Sequence, residues 1–322
     1  MAISNKQSRK GWIDALRGVA LLFVLFGHLI PEYNSYFVIT SPIKIPLFFV
    51  ITGMVFNQNR KDNNDFYSIL LKKLVFPWLF LTTVPGLLFI PFKGGDYFTT
   101  HLWNVISGKI TWYMPCCIIA EIIHFNLLKL QSRKFIRTAS IFVFVIGLVL
   151  CELHVLDFAM TNRALVAQGF IVIGYELRNV LNSRLKSFSM AGILFLLLIY
   201  MALILLTLHF YPGESLDVHT NTYYNYPICM IMIIIGCTMM TMLFNYINDF
   251  PKVLVFIGQN TLVYYIWSSY SSLFFVKILS FLGLGLDNIG ISIIVLVLMC
   301  CSLGICAMIV NRFFPFAVGK RA

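Results

Sequence analysis

Long apolar runs recur along the whole sequence, and they constrain the fold more than any other feature. Charged residues make up only 11% of the 322 residues, which is too few to cover the surface of a soluble protein of this size. Because a bilayer offers no water to bond free backbone groups, only helices and closed barrels cross it. Barrel strands would give short segments of alternating polarity, whereas these runs are continuous. The sequence therefore predicts an all-α, polytopic membrane protein.

The apolar runs predict about ten transmembrane helices. The predicted spans are roughly 12–30, 43–58, 74–92, 112–130, 138–152, 160–180, 189–209, 227–246, 258–278 and 289–311. We expect residues 1–322 to form a single integral membrane domain with no additional soluble domain. Two outer linkers are long, and the first is expected to hold an interfacial helix around residues 100–107.

The basic residues predict the orientation of these helices in the membrane. With both termini in the cytoplasm, 18 of the 24 Lys and Arg residues lie on the inner side and five on the outer side. This distribution follows the positive-inside rule. The net charge of +11 is therefore explained without a nucleic-acid partner, and we expect none.

The eight cysteines do not form a metal-binding pattern. All of them fall in or beside apolar runs, and none belongs to a CxxC or Cys/His arrangement with the spacing of a zinc site. Cysteines in such positions usually behave as small apolar residues. The sequence therefore predicts no metal.

Arg17 and His28 lie in the first apolar run, with ten residues between them. At about 100° per residue they share one face of a helix, and at about 1.5 Å per residue they lie about 16 Å apart along its axis. Charged and titratable residues are costly inside a bilayer, so they indicate a candidate functional site. A cation near one membrane face and an imidazole farther in would suit a long anionic substrate that enters the membrane.

Five segments of the sequence resemble the type-3 membrane acyltransferases, which O-acylate carbohydrates and whose hallmark is an Arg and a His separated by ten residues. They are WIDALRGVALLFVLFGHL, IPLFFVITGMVF, FYSILLKKLVFPW, TWYMPCCIIAE and FIGQNTLVYYIWS. The resemblance extends from Trp12 to about Ser268. Lys72 and Lys73 stand where many members carry arginines, and Ser268 stands where many carry a histidine.

This resemblance implies a ten-helix membrane enzyme of the bacterial cytoplasmic (inner) membrane. It would move an acyl group, most simply acetyl, from cytoplasmic acetyl-CoA to a sugar hydroxyl of a cell-envelope glycan or a lipid-linked saccharide. His28 would be the general base, because neutral imidazole is well matched to removing a hydroxyl proton near neutral pH. Arg17 would hold the CoA phosphates through its planar fork of donors.

Simpler roles for both residues stay open at this point. His28 could be hydrogen-bonded within the helix bundle or lie at the outer interface. Arg17 could extend towards the inner lipid headgroups, as arginines near helix ends do.

Four further residues are candidates for the acyl-CoA site. Asp14 lies one helical turn before Arg17 and would either orient or neutralise it. Lys73 and Lys72 would add phosphate contacts, although lysines beside a membrane also occur simply under the positive-inside rule. Asn260 begins the ninth span, where it would cap the helix or contact acyl-CoA.

Six polar or aromatic residues are weaker candidates for binding the acceptor. Glu121 and His124 lie one turn apart near the middle of the fourth span, where they would tune protonation or form a buried polar network. Aromatic and histidine side chains at the outer side could stack on a sugar, or could be ordinary interface anchors. These outer candidates are His101, Trp112, Tyr223 and Tyr224.

A transporter or flippase is the alternative class, in which polar residues line a permeation path and no bond is made. Such proteins are typically built from repeats with broken helices. The sequence indicates neither feature. An enzyme is therefore the favoured interpretation.

Overall fold

The computed structural model describes residues 11–319 apart from 31–34, 57–62, 131, 185–189, 248, 284 and 287. The α-helices of this part are α1 (Gly11–Gly27), α2 (Ser35–Lys44), α3 (Pro46–Val55), α4 (Asn63–Leu70), α5 (Phe76–Leu88), α6 (Ile90–Lys93), α7 (Gly95–Ile106), α8 (Tyr113–Leu128), α9 (Arg133–Glu152), α10 (Thr161–Arg184), α11 (Met190–Phe210), α12 (Tyr226–Tyr246), α13 (Lys252–Gln259), α14 (Thr261–Phe281) and α15 (Ile289–Phe313). A π-helical segment, Leu71–Val75, joins α4 to α5 without a break.

Seven helical stretches in the described part of the chain are long and apolar enough to cross a membrane. They are Ser35–Val55, Asn63–Leu88, Arg133–Glu152, Met190–Phe210, Tyr226–Tyr246, Thr261–Phe281 and Ile289–Phe313. A polytopic helical membrane protein is thus confirmed, whereas the count of ten spans and the cytoplasmic termini stay predictions. Residues 1–10 and 320–322, which contribute to the basic count, lie outside the described residues.

The first predicted span, 12–30, is too long at its outer end. Helix α1 ends at Gly27, so His28 lies just beyond the helix. The backbone N–H groups of His28 and Leu29 bond to the carbonyl oxygens three residues earlier, at 3.2 and 2.9 Å, which gives a tight last turn.

The second and third predicted spans begin too late. The second span starts at Ser35, because α2 and α3 follow each other with a single break at Ile45, before the Pro46 that begins α3. Proline is well tolerated at this first helical position, where its missing N–H is not needed. The third span starts at Asn63 and includes the π-helical segment Leu71–Val75, so Lys72 and Lys73 lie in a helix.

Two helix pairs pack with their backbones in direct contact, through glycines. On α10, a Cβ atom added to Gly174 would lie 1.8 Å from the Val50 carbonyl oxygen of α3. On α13, a Cβ atom added to Gly258 would lie 1.7 Å from the Asp14 carbonyl oxygen of α1. Real side chains do not approach so closely, so both positions require glycine. Small residues commonly let membrane helices pack this closely.

The apolar side chains fall into two groups, one buried in the core and one exposed on the outside of the helix bundle. Residues of α1, α3, α10 and α12, such as Leu16, Phe49 and Ile233, are fully buried. Large apolar side chains on α9, α11 and α15 are exposed, among them Phe142 and Leu198. In a bilayer these exposed side chains would face the lipid tails.

Gly174→Ala should destabilise the protein, because the new methyl group would force α10 away from α3. Overpacking of this kind costs about 1–3 kcal/mol, so we expect a clearly lower midpoint of thermal unfolding in detergent. Gly192→Ala is the matched control, because a Cβ atom added to this helical glycine on α11 would have nothing within 4 Å. Equal midpoints for the two variants would contradict the close α3–α10 packing.

Candidate functional site

A cavity of about 540 Å³ lies between α1, α3, α4, α8, α13, α14 and the π-helical segment Leu71–Val75. Its lining is mainly apolar and includes Leu21, Val24, Phe48 and Met114. Nine side chains bring polar or ionisable groups to it: Arg17, Thr52, Lys73, Tyr113, Cys117, Glu121, Gln259, Thr261 and Tyr265. The cavity thus combines two cations and a carboxylate with a largely apolar wall.

Helix α1 faces the cavity with a single stripe of side chains. Arg17, Leu21 and Val24 line it, at intervals of four and three residues, which is the spacing of one helical face. His28 follows four residues after Val24, beyond the last residue of the helix. Among the described residues His28 is not part of the lining itself, because it lies exposed just beyond the end of α1.

Asp14 and Gln259 fix the position of Arg17. The Arg17 Nη1 atom lies 4.0 Å from Asp14 Oδ1, and Gln259 Nε2 donates a hydrogen bond to Asp14 Oδ2 at 3.2 Å. Asp14 is buried, whereas the Arg17 side chain keeps 28% of its surface exposed. The carboxylate therefore orients the guanidinium while leaving part of it open to a ligand. Gln259 belongs to α13, which packs against α1 through Gly258.

Of the two predicted lysines, Lys73 lines the cavity and Lys72 does not. Lys73 lies in the π-helical segment Leu71–Val75, which contains one more residue per turn than an α-helix. Val318 and Gly319, which follow α15, line the cavity beside it.

Helix α8 contributes Tyr113, Cys117 and Glu121, which are spaced by four residues and share one face. The Cys117 thiol lies 3.8 Å from Glu121 Oε1, and the Tyr113 backbone N–H donates to the Tyr265 hydroxyl at 3.1 Å. Sequence reasoning identified Glu121 but not Tyr113, Cys117 or Tyr265. The regular spacing on α8 is the signal that would have found the first two.

Glu121 and His124 are separated by the structure, although the sequence placed them together. Glu121 lines the cavity, whereas His124 is fully buried behind it. The His124 ring packs edge-on against Phe56 and Tyr175, at centroid distances of 5.0 and 5.4 Å, and its two nitrogens have no hydrogen-bond partner among the described residues. A shared polar network of Glu121 and His124 is therefore not formed.

Asn260 connects helices instead of capping one. It precedes α14, but its side chain makes no capping hydrogen bond there. Its Nδ2 atom donates to the Phe256 carbonyl oxygen at 2.8 Å, and its Oδ1 atom accepts from Asn311 Nδ2 at 2.6 Å. The predicted capping role is thus wrong, since the side chain ties α13 and α14 to α15. Asn260 is not among the described cavity-lining residues.

Trp112 contacts the long loop between α11 and α12. Its ring stacks on the ring of His219, with centroids 4.8 Å apart and an angle of 26° between the planes. Arg163 Nε donates to the His219 carbonyl oxygen at 2.5 Å, and Arg163 also forms an ion pair of 2.7 Å with Asp157. This loop is therefore held against the helix ends by stacking and by charge.

The other outer candidates lie in separate local contacts. His101 is buried, and its Nε2 atom lies 2.9 Å from the Thr82 carbonyl oxygen. The Tyr224 hydroxyl bonds to Thr207 Oγ1 at 3.0 Å, and the Tyr223 ring packs against that of Tyr226, the first residue of α12, with the centroids 5.2 Å apart. None of the three belongs to the described lining of the cavity.

Lys44 lies near both His28 and the loop between α11 and α12. This lysine, at the end of α2, interacts electrostatically with both His28 and Asp217 of the loop. Its ammonium lies 4.6 Å from the centre of the Phe37 ring. His28 therefore lies at the same end of the helix bundle as Lys44 and Asp217. Within the described part of the chain, no three His, Cys, Asp or Glu side chains are grouped so that they could hold a metal ion.

Comparison with known protein families identifies the class of protein. The type-3 acyltransferase domain family matches residues 10–311, so the chain belongs to this family. No curated protein and no solved structure matches the chain. Together with the apolar helices, the family assignment makes this protein a membrane acyltransferase.

The Trp112–His219 stack should make tryptophan fluorescence depend on pH below 6.5. The pKa of His219 lies below its ordinary value of 6.5, mainly because burial disfavours the charged ring, with a smaller contribution from Arg163. As the pH falls from 6.5 to this lowered pKa, the unfolded chain binds a proton that the folded loop does not, so the loop loses stability.

The measurement is tryptophan emission as a function of pH for the wild type and for His219→Gln, with Trp112→Phe as the control that removes the reporter. We expect the wild-type titration below pH 6.5 to disappear in both variants. A titration that persists in His219→Gln would assign it to another group.

Proposed function

We propose that this acyltransferase moves a short acyl group, most simply acetyl, from acetyl-CoA to a sugar hydroxyl of a bacterial cell-envelope glycan or lipid-linked saccharide. The observation that carries the proposal is the cavity in which Arg17 and Lys73 lie beside an apolar stripe of α1, the helix that His28 follows. Family membership supports acyl transfer as the reaction, and the cations and apolar wall of the cavity support CoA as the carrier of the acyl group.

The charges and shape of the cavity suit a CoA thioester. Arg17 and Lys73 would bind the phosphates, since a guanidinium and an ammonium both form charge-assisted hydrogen bonds with phosphate oxygens. The uncharged pantetheine arm would extend along Leu21 and Val24, which line the cavity. Val24 lies about 10 Å beyond Arg17 along α1, and His28 would lie about 16 Å beyond it if the helix continued. The thioester would therefore reach the end of the cavity that is nearest His28.

His28 would act as the general base at that end. It would take the proton of the sugar hydroxyl while the oxygen forms an ester bond with the thioester carbonyl carbon. The carbon–sulfur bond would then break, and the proton would pass to the CoA thiolate. The same base would serve a two-step route in which a group on the enzyme carries the acyl group first.

The two substrates would approach from opposite sides. The predicted orientation places Arg17 and Lys73 towards the cytoplasm, where acetyl-CoA is made, and it rests on 18 basic residues inside against five outside. His28, Lys44 and the loop residue Asp217 would then lie towards the outer face, where a glycan is accessible. This arrangement would place the protein in the bacterial inner membrane.

Transport without chemistry is the second candidate, and the helix breaks favour it. Helices α2 and α3 are separated at Ile45, and α13 and α14 are separated at Asn260. The sequence interpretation, which expected no broken helices, is corrected by these breaks. Discontinuous helices commonly form the binding sites of transporters. A flippase for lipid-linked sugars would use the same cavity but would form no ester.

Arg17→Ala should weaken the binding of acetyl-CoA while the protein still folds. A charge-assisted hydrogen bond contributes about 1.5–3 kcal/mol, so affinity should fall roughly tenfold to a hundredfold or more. Arg17→Lys should restore only part of it, because a lysine lacks the planar fork. Binding is measured calorimetrically in detergent, with Arg312→Ala, at the end of α15, as the control. Unchanged affinity in Arg17→Ala would remove Arg17 from the donor site.

His28→Ala should bind acetyl-CoA nearly normally but lose acyl transfer by about a hundredfold or more, because the general base is gone. The assay follows labelled acetyl from acetyl-CoA into glycan in reconstituted vesicles. His209→Ala is the matched control, since His209 is an exposed histidine in the last turn of α11.

The outcomes of this assay separate the two candidates. Absence of acetylated glycan with the wild type, together with movement of the lipid-linked sugar, would favour the flippase. Normal transfer by folded His28→Ala would keep the enzyme but exclude His28 as its base, and Glu121 would be tested next.

A further inference from the structure

The segment that follows α15 forms part of the cavity wall. Residues Pro315–Val318 make a short 3₁₀ turn, which ends at Gly319 with a left-handed φ of +67°. Val318 and Gly319 both line the cavity, on the side where Lys73 lies. Phe314 accordingly directs the chain back towards the bundle after the long α15 helix has ended.

Gly319 lies against the backbone of Lys73. A Cβ atom added to Gly319 would lie 3.1 Å from the Lys73 Cα atom and 3.3 Å from its carbonyl oxygen. These neighbours are backbone atoms, so they cannot turn away as a flexible side chain would. Glycine is therefore favoured here twice, by its positive φ and by the close approach.

Lys73 itself occupies an irregular part of its helix. The π-helical segment Leu71–Val75 adds a residue to the turn and so changes the direction in which its side chains project. Segments of this kind occur often at functional sites. An irregular backbone needs external support to hold one conformation, and Gly319 contacts this segment directly.

Aromatic packing anchors the 315–319 segment to the helix that continues from the π-helical turn. The Phe316 ring lies 6.0 Å from the ring of Phe76 and 5.3 Å from that of Phe80, both on α5. Ala317 is fully buried. The segment is thus attached to α5 immediately after Lys73 and is not a loose end beside the cavity.

We propose that the 315–319 segment positions Lys73 for the phosphates of acyl-CoA, with Gly319 as the residue that sets the position of the Lys73 backbone. The inference rests on the proposed donor site. The lysine stem is flexible, so its ammonium can be held in the cavity only if the Cα atom from which it projects is fixed. Gly319 would then affect donor binding through the position of Lys73.

The test compares two acetyl donors in purified, reconstituted protein. Acetyl-CoA carries the nucleotide phosphates, whereas acetyl-pantetheine has the same thioester and arm without them. In Gly319→Ala, the KM for acetyl-CoA should rise about tenfold, because one charge-assisted contact with the phosphates would be lost. The kcat should stay nearly unchanged. The kinetic constants for acetyl-pantetheine should stay at their wild-type values.

Gly283→Ala is the matched control, because it imposes the same backbone strain without the contact. Gly283 has a φ of +69°, and a Cβ atom there would have nothing within 4 Å. We expect wild-type constants for both donors in this variant. Equal behaviour of Gly319→Ala and Gly283→Ala would overturn the proposal, and so would equal losses with both donors, which would indicate a general structural defect.

A second pair of variants keeps the test decisive where Gly319→Ala does not fold. Phe316→Ala removes the anchor on α5, and it should give the same selective rise in the KM for acetyl-CoA. Phe281→Ala, on a side chain that is 91% exposed, is its control. A Phe316→Ala protein with wild-type constants for acetyl-CoA would overturn the role of the segment.

The coupling to Lys73 is tested with a double variant. When Lys73→Ala is already present, Gly319→Ala should add little, because the group that it positions is gone. Fully additive effects would overturn the link between the two residues. A wrong proposed function would give a different result from a wrong role of Gly319. In that case the wild type itself would transfer no acetyl group from either donor.

Discussion

The contact between α1 and α13 is the interaction on which the rest of the site depends. Gly258 brings the backbone of α13 against the Asp14 carbonyl oxygen, closer than any other residue would allow. This approach lets the neighbouring Gln259 bond to the Asp14 carboxylate, which in turn lies beside Arg17. A cation that would be costly inside a bilayer is therefore balanced by Asp14, three residues earlier, and Asp14 is held by Gln259 from a distant part of the sequence.

The site combines a rigid helical face with less regular backbone at its ends. Arg17 lies on a regular stretch of α1, so its direction follows from the helix itself. Lys73 lies on a π-helical segment and His28 just beyond a helix end, so their positions depend on neighbouring segments. The proposed chemistry would need both ends to be held at once, since the donor would span the distance between them.

The sequence predicted the parts of this site that follow from helical periodicity and from family resemblance. The helical membrane class and the family belong to this group, whereas α1 ends at Gly27, before the His28 that was predicted to share its face with Arg17. Contacts between distant segments were not predictable from local patterns. They include the Gln259–Asp14 bond and the approach of Gly319 to Lys73.

The helix boundaries and the burial of individual side chains were also not predictable from the sequence. The early end of α1 depends on a tight last turn, and a hydropathy pattern does not distinguish such a turn from continued helix. Glu121 and His124 lie one turn apart on α8, yet the cavity reaches only the first of them. Which of two adjacent polar residues faces a cavity depends on the helices packed around them, and no local pattern records that.

The central claim is that a CoA thioester occupies the cavity with its phosphates at one end and its acyl group near His28. A structure of the protein bound to a non-hydrolysable acetyl-CoA analogue tests it most directly. The account predicts phosphate oxygens within hydrogen-bonding distance of Arg17 and Lys73, and the acetyl group beyond Val24. An analogue bound outside the cavity, or one with its acetyl group beside Lys73, would contradict it.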